Sequence, residues 1–366
     1  MSFDKKALLL KACFGRWGRL ATITQGYTVL LPSPADMPFL LRYALEGLKQ
    51  LDLTHCSQII VLGDGRVDDS ALRKVVEATN DPRVEMAAIG PLAHFFVHKM
   101  GRSGAEVANW THWAMIVEGV RRARGEYVFL HDADAFFIDV DGLERQFQAC
   151  VDRGMHSLGV TARNDPTFLE RGMAIPGTWE LMFSNRWARR HAPIDHKGRR
   201  RATAHGVIEF DTMLYPQFLD YPGGKVGVLD PSPRLVHFAG AITTYRGYRD
   251  RAGAPVIDEL FRLLFLSLME DLSPDGSGRR VVPCVEELAR GLSDPDAPVS
   301  YGSRVATQEY PIFRGMIDEL CEAPVMRGDR ADRIRELIRP FDDHFALREA
   351  DPTLGSLIGH RRDGLG

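Results

Sequence analysis

Asp132 and Asp134 stand one residue apart in His131-Asp-Ala-Asp134, directly after the apolar run Tyr127-Val-Phe-Leu130. That run reads as a strand, and open α/β sheets bind ligands at the carboxyl ends of their strands. Two carboxylates in a tight turn there offer hard oxygen ligands to Mg²⁺ or Mn²⁺, whose remaining positions suit diphosphate oxygens. An acidic turn solvated at a strand end is the plain alternative. The second feature is basic. Between Arg186 and Arg201 lie Arg186, Arg189, Arg190, Lys197, Arg199, Arg200 and Arg201 against one acid, Asp195. Such a run reads as a solvated mobile loop, or as a segment that orders on an acidic or phosphorylated acceptor or on a diphosphate. It lacks the aromatic interleaving of a nucleic-acid surface, so no nucleic-acid partner is expected.

The elements that must position these groups follow from the apolar patterning. Short apolar runs alternate with helical patterns from Tyr27 to about Tyr245, the mark of an α/β sheet with crossovers. Tyr27–Leu31 reads as a first strand, stopped by Pro32-Ser-Pro-Ala-Asp36. Pro38 suits the first turn of a helix reaching Leu48. Gln58–Leu62 reads as a second strand ending at Gly63-Asp64-Gly65, Ser70–Ala78 as a helix and Val84–Ile89 as a third strand. A long helix is expected over Ala105–Arg124, then the strand that carries Asp132. Past Pro255 the pattern becomes helical, at Val256–Leu272, Val285–Leu292, Tyr310–Cys321 and Asp329–Ile338. The expected organisation is an N-terminal arm over residues 1–26, an α/β catalytic domain over 27–245 and a helical C-terminal region over 246–366.

At ~150 residues per domain, 366 residues accommodate about two units. Hydrophobic content of 45% with 26% charged residues sets disorder and collagen-like structure aside. The net charge of −3 gives no whole-molecule field for nucleic acid or anionic lipid, so any anion must be drawn by a local patch. Five scattered cysteines without a C-x-x-C pair read as reduced thiols of a cytoplasmic protein. Asp4 and Lys11 interrupt the would-be signal peptide, and no transmembrane segment is expected. The apolar stretch Phe261–Met269 is a candidate homodimer surface.

Gly125-Glu-Tyr-Val-Phe-Leu-His-Asp-Ala-Asp134 resembles the D-x-D region of GT-A glycosyltransferases, especially those of family 2. Tyr27–Leu48 followed by Ile59-Ile-Val-Leu-Gly-Asp64 resembles their nucleotide-binding start, and Ala105-Glu-Val-Ala-Asn109 the segment ahead of the D-x-D strand. The resemblance spans roughly Tyr27–Tyr245. It departs from the pattern at Ala108-Asn109, where an Arg-Asn pair is usual, and at His131, where Asp is frequent. It implies a GT-A fold, α/β with a mostly parallel central sheet flanked by helices, followed here by a helical appendage. It also implies a Mn²⁺- or Mg²⁺-dependent transfer of a sugar from a UDP-, GDP- or dTDP-sugar to an acceptor hydroxyl or amine, with inversion.

Carried over residue by residue, the resemblance puts Asp64 at the base or ribose and Pro32 and Ser33 at the nucleotide's edge. Lys99 or Arg102 comes near the base or diphosphate, Asp132 at ribose or metal and Asp134 on the metal. His237, in Arg234-Leu-Val-His-Phe-Ala-Gly240, matches a late histidine that serves as a third metal ligand in several GT-A enzymes; a core histidine is the alternative. His205-Gly-Val-Ile-Glu-Phe-Asp211 resembles the acidic stretch near the acceptor, which nominates Asp211 as catalytic base, with Glu209 as second candidate. Asp211 equally suits the N-cap of a helix over Thr212–Phe218. Trp179 and Glu180 resemble the segment lining the sugar and acceptor pocket, Trp179 offering an apolar face and Glu180 accepting from sugar hydroxyls. Two other functions remain open. One is a non-catalytic nucleotide- or glycan-binding relative. The other is a sugar-phosphate nucleotidylyltransferase, against which the rigid, Gly-poor Pro32-Ser-Pro-Ala-Asp36 argues.

Overall fold

The computed structural model describes residues 12, 14–18, 22–65, 68–100, 104–163, 165–204, 206–250, 260–273, 280, 282–292 and 304–349. Two compact units divide the chain. The first comprises Met1–Ala133 and Val140–Pro233, the second Asp134–Asp139 and Arg234–Gly366. The division is discontinuous along the chain.

The first unit is built on a seven-stranded sheet. Its strands are β1 (Thr24–Ser33), β2 (Cys56–Gly63), β3 (Val84–Ala88), β4 (Gly125–Leu130), β6 (Ser157–Gly159), β7 (Leu181–Ser184) and β10 (Val226–Val228). In space they run β10-β6-β7-β4-β1-β2-β3. All neighbouring pairs are parallel except those of β7, which runs against both β4 and β6. The expected mainly parallel α/β sheet is therefore present. A hairpin of β8 (Arg199–Thr203) and β9 (Gly206–Phe210) stands apart from it. The basic run, expected as a loop, instead passes through a helical turn at Asn185–Ala188, a 3-10 turn at Pro193–His196 and into β8.

β1 lies at the centre, and its last eight residues are buried without alternation. That is the mark of a parallel strand covered on both faces. It extends through Pro32 and Ser33, which pair with Leu62 and Gly63, so the first proline does not stop it. Helix α1 (Pro38–Leu48) turns Phe39, Leu40, Leu41, Tyr43, Ala44, Leu45 and Leu48 inward, with proline at its start. Helices α2 (Ser70–Thr79), α3 (Pro91–Met100), α4 (Gly104–Arg122) and α5 (Gly142–Arg153) complete the main crossovers, α3 being unforeseen from the sequence.

Two glycines set how closely these layers approach. A Cβ at Gly119 of α4 would meet Leu30 and Leu62 side chains at 2.8–2.9 Å. At Gly125 it would meet the backbone of Tyr27 and Thr28 at 2.5–2.6 Å. A buried polar clamp joins the same strands at their starts. Thr28 Oγ1 donates to Gln58 Oε1 at 2.9 Å and accepts from the Gly125 N–H at 2.9 Å, while Arg124 N donates to Gln58 Oε1 at 3.0 Å.

The second unit pairs β5 (Ala135–Phe137) with β11 (Leu235–His237) antiparallel, placing His237 opposite Ala135. Its helices are Ala241–Asp250, unforeseen from the sequence, and Leu260–Asp271, Val285–Arg290, Arg304–Glu322 and Asp329–Glu349, which follow the helical pattern past Pro255. Phe238 stacks on Phe265 with ring centroids 3.9 Å apart, anchoring the residue after His237. Cys56, Cys150, Cys284 and Cys321 are free thiols. Among the described residues no helix is long and apolar enough to cross a membrane.

Two outcomes follow from this packing. Gly125→Ala forces backbone to move and should cost about 1–3 kcal/mol, read as a lower urea midpoint with unchanged m-value. His196 is fully buried, its Nε2–H donating to Ala188 O at 2.8 Å while Nδ1 has no partner. Burial pushes its pKa from the ordinary 6.5 down to about 4. The unfolded imidazole therefore takes a proton before the folded one. Stability from this group is complete above pH 6.5 and is lost as pH falls toward 4, by about 3 kcal/mol. Urea unfolding of wild type and His196→Gln across that window should show a steeper acid loss in the wild type; equal slopes would contradict it.

Candidate functional site

The sheet supplies the crevice. From β1 the chain moves out to β2 and β3, then returns to β4 on the other flank of β1. Such a reversal leaves a gap beyond the carboxyl ends of β1 and β4, where open α/β sheets bind ligands. Pro32 and Ser33 end β1 at this edge, both buried, with Ser33 Oγ donating to Leu31 O at 3.2 Å. Asp64 follows β2 and is 2% exposed. Burial, followed by the charge of Asp64, raises the pKa of neighbouring Asp69. His131 and Asp132 follow β4, and His131 N donates to Leu30 O at 3.0 Å, carrying the ladder one residue further.

Beneath Asp132 lies a buried carboxylate. Glu180 has no solvent exposure, and its oxygens accept from His131 Nδ1–H at 2.8 and 3.0 Å. Oε1 also accepts the backbone N–H of Asp132 at 3.1 Å. Its own carbonyl takes Gln146 Nε2–H at 3.0 Å. Glu180 adopts φ +52°, a left-handed conformation that costs a side-chain-bearing residue about 1–2 kcal/mol. Its surroundings hold it there, because an unpaired buried carboxylate would cost more. Expected to meet sugar hydroxyls, Glu180 instead spends its oxygens on the loop that carries Asp132.

Asp134 and His237 belong to the second unit and are brought together by the β5–β11 ladder. Phe238 N donates to Asp134 O at 3.0 Å, and His237 Nε2 lies 3.4 Å from Asp134 Oδ1. Both side chains are largely buried. Only Ala133 separates Asp132 from Asp134 along the chain. Asp132, Asp134 and His237 each offer one ligand atom, all within 4.8 Å of one another. Two carboxylates and an imidazole form a donor set that suits Mn²⁺ and accepts Mg²⁺.

The other candidates are placed as follows. Trp179 is half-buried, its Nε1 near Gly177. Asp211 lies just past the end of β9; its Oδ2 pairs with Arg163 at 3.1 Å and its Oδ1 accepts from Thr212 N at 2.7 Å. It is not the expected N-cap, because the helix runs over Leu214–Asp220 behind Met213 at φ +64°. Glu209 projects from β9 into solvent and pairs with Arg200 across the hairpin at 3.0 Å. Within the basic run, Asp195 receives Arg201 at 3.0 Å and Arg199 at 3.9 Å. Lys99 sits in the last turn of α3, its side chain outside the described residues, and Arg102 lies wholly outside them. His112 on α4 was not foreseen; its Nε2 lies 3.9 Å from Asp132 Oδ1. The available signal was its place one turn after Asn109 on the same helix face.

No family model matches this chain, and no curated protein matches it. Solved structures resemble it distantly. Residues 1–349 of TarS from S. aureus share 13% identity over 89% of this chain and 88% of theirs, with a TM-score of 0.37. Mannosyltransferase PcManGT from Pyrobaculum calidifontis, in complex with GDP-Man and Mn²⁺, shares 14% over 95% and 91%, also at 0.37. Glucosyl-3-phosphoglycerate synthase from Mycobacterium tuberculosis, in complex with Mn²⁺, UDP and glucosyl-3-phosphoglycerate, shares 12% over 73% and 84%, at 0.36.

The strained, buried Glu180 generates a test. Glu180→Ala strips acceptors from His131 and Asp132 and should destabilise by about 1.5–3 kcal/mol or more. Glu180→Gly loses the same acceptors but relaxes the left-handed backbone, so it should be the milder by about 1 kcal/mol. Chemical denaturation of both variants checks the order; alanine milder than glycine would contradict it.

Proposed function

We propose that this chain is a metal-dependent glycosyltransferase of the GT-A type. It moves a sugar, with inversion, from a nucleotide-sugar donor to a hydroxyl or amine of an acceptor. The observation that carries the proposal is the donor set of Asp132, Asp134 and His237, with Asp132 at the carboxyl edge of β4 beside the chain reversal. In this reading those three residues hold Mn²⁺ or Mg²⁺. The cation, when bound, supplies Lewis-acid neutralisation of the charge on the departing nucleoside diphosphate.

The chain's own residues do the rest. Pro32, Ser33 and Asp64 line the nucleotide at the ends of β1 and β2, Asp64 addressing base or ribose, while Lys99 and Arg102 serve the base or diphosphate. UDP-, GDP- and dTDP-sugars are the candidate donors. Trp179 offers its ring to a sugar face. Asp211 takes the acceptor proton as the acceptor oxygen or nitrogen attacks the anomeric carbon. Arg163, 3.1 Å from Asp211 Oδ2, orients that carboxylate and leaves Oδ1 toward Thr212 N. Glu209, exposed and paired with Arg200, is the second candidate.

Asp134→Ala should abolish Mn²⁺ binding in calorimetry and lower transfer and donor hydrolysis by about 10²–10³-fold, equivalent to several kcal/mol of lost charge stabilisation. Unchanged Mn²⁺ binding and turnover would refute the proposal. Asp211→Asn should lower kcat by about 10²–10⁴-fold while Mn²⁺ and nucleotide still bind. Retained kcat would move the base elsewhere. A thermal-shift screen of UDP-, GDP- and dTDP-sugars with and without Mn²⁺ should stabilise the protein with one base class and depend on the metal.

A further inference from the structure

We propose that Arg262 is a diphosphate-binding residue of the same centre, turning the free side of its guanidinium to the nucleoside diphosphate that departs with the cation. This rests on the glycosyltransferase reading above, with Asp134 and His237 ligating a divalent cation.

The second unit alone fixes where Arg262 stands. Antiparallel pairing sets His237, the last residue of β11, opposite Ala135, the first of β5. The chain therefore leaves β11 at the edge where Asp134 enters β5, and Phe238 N donates to Asp134 O at 3.0 Å across that edge. A turn follows at once, closed by Ala241 N donating to Phe238 O at 3.1 Å. From His237 to Gly240 the chain spans at most about 11 Å, and the turn shortens that. The helix Leu260–Asp271 is set in register with the same edge by Phe265. Its ring stacks on Phe238 with centroids 3.9 Å apart and meets Phe136 edge-on at 6.2 Å. Arg262 lies one turn before Phe265, so its side chain reaches the turn beyond β11. There its Nε donates to Ala239 O at 2.9 Å.

Gly240 is what admits the guanidinium so close. It adopts φ +82°, and a Cβ there would meet Arg262 Nε at 3.2 Å, Cζ at 3.3 Å and Nη2 at 3.6 Å. The charged group is thus laid against bare backbone just past a candidate metal ligand. Leu263, Leu264, Phe265 and Leu266 behind it are fully buried, so the helix holds the charge at that place. Nε is spent on Ala239, which leaves both Nη groups with their N–H donors. Arg262 is exposed, and among the described residues no carboxylate pairs with it. A divalent cation does not by itself neutralise a nucleoside diphosphate. A guanidinium fork matches two phosphate oxygens at once, and its charge strengthens each hydrogen bond. Arg262 is therefore placed to take oxygens that the cation leaves, where negative charge develops as the donor bond breaks.

The test is calorimetric titration of UDP, GDP and inorganic pyrophosphate into wild type, Arg262→Ala, Arg262→Gln and Arg262→Lys at saturating Mn²⁺. Titration of Mn²⁺ alone and metal-free thermal unfolding are the controls. Arg262→Ala should bind pyrophosphate, and whichever nucleoside diphosphate the wild type prefers, about 10–100-fold more weakly, the worth of a hydrogen bond to a charged group. Its Mn²⁺ affinity should stay within about twofold of wild type and its melting temperature within about 2 °C. Arg262→Gln can still donate to Ala239 O but carries no charge, so it should bind as weakly as the alanine variant. Arg262→Lys keeps the charge without the fork and should fall between. Unchanged affinity in Arg262→Ala overturns the inference. Wild-type affinity in Arg262→Gln also overturns it, because holding Ala239 would then be the whole role. So does a loss matched by an equal fall in Mn²⁺ affinity, or one confined to the nucleotide and absent for pyrophosphate, which would assign Arg262 to base or ribose. A wild-type protein that binds none of the three probes with Mn²⁺ fails differently: it removes the glycosyltransferase reading itself, and this inference with it.

Discussion

A carboxylate sealed from water, at Glu180, binds the end of one strand to the start of another. Its two oxygens collect the imidazole N–H of His131 and the amide of Asp132, leaving the loop after β4 little room to move. The geometry depends on the one strand that runs backwards. Leu181 opens β7 directly opposite Leu130, the last residue of β4. Antiparallel pairing sets the residue before β7 beside the residues after β4. A parallel neighbour would have offered its own carboxyl end there instead.

The remaining sheet makes that junction rigid. The central strand β1 is buried on both faces and pairs in parallel with β2 and β4. Gly119 and Gly125 let a helix and a strand approach it more closely than any Cβ would allow. A buried network of Thr28, Gln58 and the amides of Arg124 and Gly125 ties the same strands at their other end. Buried polar groups satisfied in this way restrict the alternatives a sheet can adopt. In the second unit, β5 and β11 use antiparallel pairing to set His237 beside Asp134. Stacking of Phe238 on Phe265 holds that pairing from behind.

Features carried by neighbouring residues were readable in advance. The strands ending at Gly63 and Leu130, the helix opened by Pro38 and the helical C-terminal pattern each rest on local periodicity or a local breaker. Readings that depended on a tertiary partner went differently. Pro32 was expected to end β1, yet its strand continues because Leu62 and Gly63 extend the pairing. Asp211 looked like a helix cap, but Arg163 claims its carboxylate and Met213 takes the left-handed turn before the helix. The basic run looked like a loop, and its charges are instead distributed over turns and a strand, with Asp195 and Glu209 as partners.

The sequence by itself determined the pair Asp132 and Asp134, because one chain neighbour separates them and an apolar strand delivers them to a sheet edge. It also marked His237, though only by analogy, since no local pattern distinguishes a ligand from a core histidine. The tertiary structure alone decided what surrounds those residues. Glu180 lies 48 residues from Asp132. Its role appears only when β7 reverses direction, burying a carboxylate that then requires every donor within reach. Local spacing fixes which atoms can act together along the chain. Burial and strand direction, which no short stretch encodes, fix which distant atoms hold them still.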